Sequence, residues 1–85
     1  MTPTLETLAP NLTLVTIGDA NFWFSYKTCV AVFTDDHGFA VSENAWGPTT
    51  GKHLNRIDGG SPDAKKARLP RDAFVARLEG VPVTV

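Results

Sequence analysis

The chain has 85 residues, 42% of them hydrophobic and 20% charged, which excludes a disordered polymer and suits one small domain. So short a chain buries only about 60–65% of its unfolded surface, and its core is correspondingly modest. The net charge of −1 hides a polarity: residues 1–50 carry one base, Lys27, against five acids, whereas residues 51–85 carry seven bases against four.

Residues 1–10 read as a loose lead-in ending at Pro10, with a single domain over 11–85. From Asn11 to Ile17, the apolar Leu12, Leu14, Val15 and Ile17 interleave with Thr13 and Thr16 and predict a strand. Gly18-Asp19-Ala20-Asn21 is turn chemistry, since Gly and Asn tolerate positive φ and Asp bonds its own backbone. Residues 22–34 give the strongest strand signal. Even positions Phe22, Phe24, Tyr26, Val30 and Val32 would share one face, and odd positions Trp23, Cys29, Ala31 and Phe33 the other. Both faces are apolar, as in a central strand covered on two sides. Ser25-Tyr26-Lys27-Thr28 interrupts the run at a point suited to a bend or bulge. Asp35-Asp36-His37-Gly38 predicts a hairpin loop, and Phe39 and Val41 a returning strand that fades at Glu43-Asn44.

The stretch 45–70 must hide short elements, because a structureless connection of that length is rare inside a compact domain. Thr50 is placed to cap a single turn with Leu54 and Ile57 facing inward, and Ser61-Pro62 to start a short exposed helical piece. Arg71–Glu79 predicts the best helix, with Phe74, Val75 and Leu78 on one stripe and Gly80 as terminator. Val81-Pro82-Val83-Thr84-Val85 alternates like an edge strand, through which two copies could pair as a homodimer. The expected product is an α+β domain: an antiparallel sheet of three to four strands with the C-terminal helix packed on one face.

Catalysis finds little support in this pattern. The single Cys29 lies in an apolar run and reads as a buried structural thiol. Gly47-Pro48-Thr49-Thr50-Gly51-Lys52-His53 falls one residue short of the phosphate-cradling loop and puts His53 where that loop needs a hydroxyl. Asp35, Asp36 and His37 adjoin on a turn, which rarely makes them converge on one ion, so neither metal nor cofactor is expected. Unpaired cysteine usage favours a reducing cytoplasm, the N-terminus lacks signal-peptide features, and no apolar run reaches the roughly 20 residues that span a bilayer. A membrane partner is therefore not expected.

The basic segment carries more information. Lys52, His53, Arg56, Lys65, Lys66, Arg68 and Arg71 fall within one stretch opposed only by Asp58 and Asp63, and Trp46 stands just before it. Such clustering is an electrostatic footprint for polyanions, and an exposed Trp can stack on a base. The same charges suit an acidic protein surface equally well.

The runs Phe24-Ser25-Tyr26-Lys27-Thr28, Val30-Ala31, Glu43-Asn44-Ala45-Trp46 and Thr49-Thr50-Gly51-Lys52-His53-Leu54-Asn55 resemble a group of small uncharacterised proteins of bacteriophages, plasmids and related mobile elements. The likeness covers about residues 22–57, with a weaker extension through 71–79, and TTGKHLN is its most specific string. The chain departs from that pattern at Cys29, where proline or a small residue is expected, and at Gly47, where serine is usual. The resemblance brings no activity and no catalytic residues. It implies an origin in a phage or mobile element, whose small proteins commonly bind and block a host protein or assist the element's own DNA transactions.

Three expectations follow. The first is a non-enzymatic interaction protein that occludes a host target such as a defence effector, with Trp46, Lys52, His53, Asn55 and Arg56 as its contact surface. The second is a nucleic-acid-binding module that sets Lys52, Arg56, Lys65, Lys66 and Arg68 against phosphates. The third is a structural or dimerising accessory.

Overall fold

Turn chemistry folds the first half of the chain into a meander. The computed structural model describes residues 3–81. Strands β1 (Thr4–Ala9), β2 (Leu12–Ile17), β3 (Ala20–Ser25), β4 (Thr28–Thr34) and β5 (Gly38–Val41) form one antiparallel sheet in sequence order. Each connection is too short for a crossover, which forces neighbouring strands to run antiparallel. Three of the four turns use positive φ at Asn11, Gly18 and Tyr26, and the fourth releases into β5 through Gly38 at φ 74°. Helices α1 (Pro48–Asp58), α2 (Pro62–Ala67) and α3 (Arg71–Glu79) follow. The protein is thus α+β, with five strands where three to four were expected.

Register irregularities set two of the elements apart from their expected form. The segment expected as a lead-in forms β1, paired with β2 from Thr4↔Thr16 to Ala9↔Leu12. Its register shifts between Thr7 and Ala9, and that irregularity breaks the two-residue alternation that would have marked a strand. The run 22–34 is two strands joined by a turn at Tyr26-Lys27, with a second irregularity where Trp23 pairs with Ala31 but Phe24 with Cys29. Val30 is the extra residue, so Val30 and Val32 part company. Phe22, Cys29 and Val32 join one core cluster, and Val30 and Ala31 the other.

Those clusters lie on opposite faces of the sheet, and helices cover both; the expectation of a helix on one face accounts for half the molecule. On one face Phe74 of α3, fully buried, seats on Ala20, Phe22, Cys29, Val32 and Ala40. On the other, Leu54 of α1, also fully buried, seats on Val30, Ala31 and Val41. Removing side chains of this size from water contributes about 1.5–3 kcal/mol each. Leu69 carries the chain from one face to the other: its N–H donates to Val41 O at 2.8 Å and its carbonyl accepts Glu43 N–H at 2.8 Å, closing the β5 edge. The strand expected over 81–85 lies, beyond Val81, outside the described residues.

Candidate interaction site

The segment after β5 is built by local hydrogen bonds. The Asn44 side chain accepts the Trp46 N–H at 2.9 Å and donates to Gly47 O at 3.1 Å. This tight turn delivers Gly47 as the cap of α1 and Pro48 into its first turn, where a missing N–H costs nothing. At Gly51 a Cβ would stand 3.1 Å from the Asn44 amide, so the absent side chain permits the close approach. Thr50 does not cap a single turn, as its position suggested, but lies inside an eleven-residue helix.

Helical periodicity then splits the TTGKHLN string into two sides. Thr50, His53 and Leu54 face the sheet and are buried. His53 Nε2 lies 3.1 Å from Pro10 O, which can only accept, so Nε2 carries the proton. In the neutral ring Nδ1 then accepts, and the Ser25 hydroxyl donates to it at 2.7 Å. Ser25 Oγ in turn receives the Thr50 hydroxyl at 3.0 Å. This chain of contacts ties the β1–β2 turn, β3 and α1 together. His53 is 6% exposed, which removes it from any contact surface.

Three of the arginines, Arg68, Arg71 and Arg77, are likewise committed. Arg68 Nε and Nη2 donate to the two Asp58 oxygens at 2.8 and 2.9 Å, with Nη2 also reaching Asn55 Oδ1 at 3.1 Å. The paired side chains are 8% and 6% exposed, and they lock the ends of α1 and α2 together. Burial pushes the Asp58 carboxyl up, but hydrogen bonds from Arg68 and the Gly60 N–H outweigh it and hold the group below its ordinary 3.8. Arg71 donates to Cys29 O at 2.9 Å and lays its guanidinium over the rings of Trp46 and Phe74, 4.9 and 5.2 Å from their centroids. Arg77 donates to the carbonyls of His37 and Gly38. Arg68 and His53, two of the residues expected to meet a partner, are thus internal braces, whereas Asn55 stays exposed with its Oδ1 engaged by Arg68.

What remains outward is a smaller set. Lys52 and Arg56 on α1 and Lys65 and Lys66 on α2 are exposed, and none makes an ion pair among the described residues. Lys52 and Arg56 stand four apart and so share a helix face, continued by Thr49 three residues before Lys52. Trp46, 43% exposed, lies beside α1 with its backbone held by Asn44 and its ring by Arg71.

Sequence reasoning missed a cavity of about 310 Å³ between the β3–β4 turn and the start of α1. Its walls include Tyr26, Thr28, Val30, Trp46 and Thr49. Tyr26 is 54% exposed and adopts φ 57°, with its N–H donating to Asn11 O at 2.7 Å. Only a recognition that Ser25–Thr28 is a tight turn would have drawn attention to an aromatic residue at a glycine-like position.

A five-stranded antiparallel meander with helices on both faces, one exposed cationic helix side and an aromatic-walled cavity define a small α+β domain with a built surface. The chain belongs to DUF8033, a family of unknown function whose model matches residues 4–76. No curated protein and no solved structure matches it. Among the described residues, no helix is long and apolar enough to cross a membrane.

Proposed function

We propose that the protein is a non-enzymatic binding module of phage or mobile-element origin, working in the host cytoplasm by occupying the surface of a host protein. One observation carries this reading. The arginines with internal acceptors are consumed by the fold, whereas Lys52 and Arg56 on α1 and Lys65 and Lys66 on α2 are left exposed. Unpaired cations beside an exposed Trp suit recognition of an acidic surface, where charge speeds encounter and the aromatic ring anchors. Among the described residues, the hydroxyl–imidazole pair of Ser25 and His53 has each partner atom already engaged and little exposure, so it serves as a brace.

Capture from bacterial host lysate tests the reading when wild type is compared with the charge-reversed K52E/R56E/K65E/K66E variant. A partner held reproducibly by wild type and lost by the variant supports it. The same four cations favour a second reading, a nucleic-acid-binding module. That alternative predicts affinity falling by about 0.7–0.9 log unit per log unit of salt for each phosphate contacted. Absence of a protein partner together with such salt-steep DNA binding would reverse the order of the two.

A further inference from the structure

Two partly exposed aromatic residues meet at one cavity, and both are held in place. Tyr26 occupies the first central position of a two-residue hairpin turn with φ 57°, where glycine is the ordinary occupant. A bulky side chain in that region costs on the order of 1 kcal/mol or more, which the Asn11–Tyr26 backbone hydrogen bond helps to hold. The ring lies tilted at 50° to that of His53, with centroids 6.0 Å apart. Trp46 is fixed opposite by Asn44 at its backbone and Arg71 on its ring. The cavity between them is lined by hydroxyl and apolar groups, including Thr28, Thr49 and Val30, and by no charged side chain among the described residues.

We infer that this cavity is the anchor pocket for one aromatic side chain carried on an acidic segment of a protein partner. The inference rests on the binding-module reading and deepens it. A dry cavity of about 150 Å³ accommodates benzene, so about 310 Å³ takes one side-chain ring together with its linker. Uncharged walls and two aromatic rings select a ring over an ion. The surroundings supply the charge preference. Lys27 is exposed next to Tyr26, and Thr49, Lys52 and Arg56 form one stripe leading from the pocket along α1. Acidic residues flanking the anchor would lie against that stripe. Glu43, exposed three residues before Trp46, adds negative charge at the start of the segment and makes a continuous polyanion a poorer fit than a peptide with spaced acids.

The test is an NMR titration of the isotopically labelled full chain, following the Trp46 indole N–H and the Tyr26 amide. Three probes are used at up to millimolar concentration: the blocked peptides Asp-Glu-Phe-Asp-Glu and Asp-Glu-Ala-Asp-Glu, and a short oligothymidylate. The expected result is saturable shifting of both resonances by the Phe peptide, with the Ala peptide about tenfold weaker or worse. Trp46→Ala and, independently, Tyr26→Gly should remove the difference between the peptides; the second variant relieves backbone strain and keeps the fold. Equal binding of the two peptides overturns the pocket while leaving the cationic surface intact. Saturation by the oligonucleotide alone overturns both the pocket and the protein-partner reading, and no shift with any probe overturns the pocket.

Discussion

Ser25 and His53, far apart in sequence, share a buried hydrogen bond of 2.7 Å, and through it the sheet grips the helix that carries the cationic stripe. Replacing Ser25 with Ala leaves Nδ1 of His53 without its donor and the Thr50 hydroxyl without its acceptor. Stranding buried polar atoms costs about 1–3 kcal/mol. Urea unfolding of Ser25→Ala should show a loss in that range with an unchanged slope. An unaltered midpoint would mean that the brace contributes nothing.

Arg68→Ala removes the cation that faces the Asp58 carboxylate and should cost roughly 3 kcal/mol at neutral pH, as for other ion pairs with little exposure. The pH dependence has a defined sign. Asp58 titrates below 3.8 in the folded chain and regains its ordinary value on unfolding, so the folded state binds this proton less readily. Its stabilisation is complete above about pH 4 and drains as pH falls through the lower folded value. The gap between wild type and Arg68→Ala should therefore be widest near neutrality and narrow in acid. Thermal unfolding at several pH values reads it directly.

Tyr26→Gly should stabilise the protein by about 0.5–1 kcal/mol, because glycine adopts φ 57° without steric strain. Most exposed aromatic-to-glycine changes do the opposite. A lower unfolding midpoint would indicate that the Tyr26 ring is structural and not held for contact.

Burial pushes the Cys29 thiol up to about 11. At pH 8 only about a thousandth of it is thiolate, on top of its 8% exposure. Iodoacetamide should leave the folded protein unmodified and alkylate it once denatured. Rapid labelling of the native chain would contradict the buried placement of β4.

Much of the fold was legible because local chemistry decides it. The turns at Gly18 and Gly38, the Ser61 cap with its 3.1 Å bond to the Ala64 N–H, and α3 with its terminator Gly80 all announce themselves in short windows. Two irregularities did not. The register shifts near Leu8 and Val30 each insert one residue into a period of two, which hid β1 and misassigned the face of Val30. The site was less legible than the fold. A cluster of basic residues says nothing about which of them have acceptors nearby, and Arg68, Arg71 and Arg77 find theirs through tertiary contacts. The Tyr26–Trp46 cavity joins residues from two distant segments, so no linear pattern records it.

The division of TTGKHLN into an inward brace and an outward contact face is most directly tested by comparing unfolding free energies of single Ala variants along it. His53→Ala should lose about 2–4 kcal/mol, since it empties a buried site and strands both Ser25 and Pro10 O. Lys52→Ala and Arg56→Ala should stay within about 0.5 kcal/mol of wild type, as exposed side chains without partners do. Comparable losses at Lys52 and His53 would contradict the account, because the lysine would then be part of the scaffold and not of a surface offered to a partner.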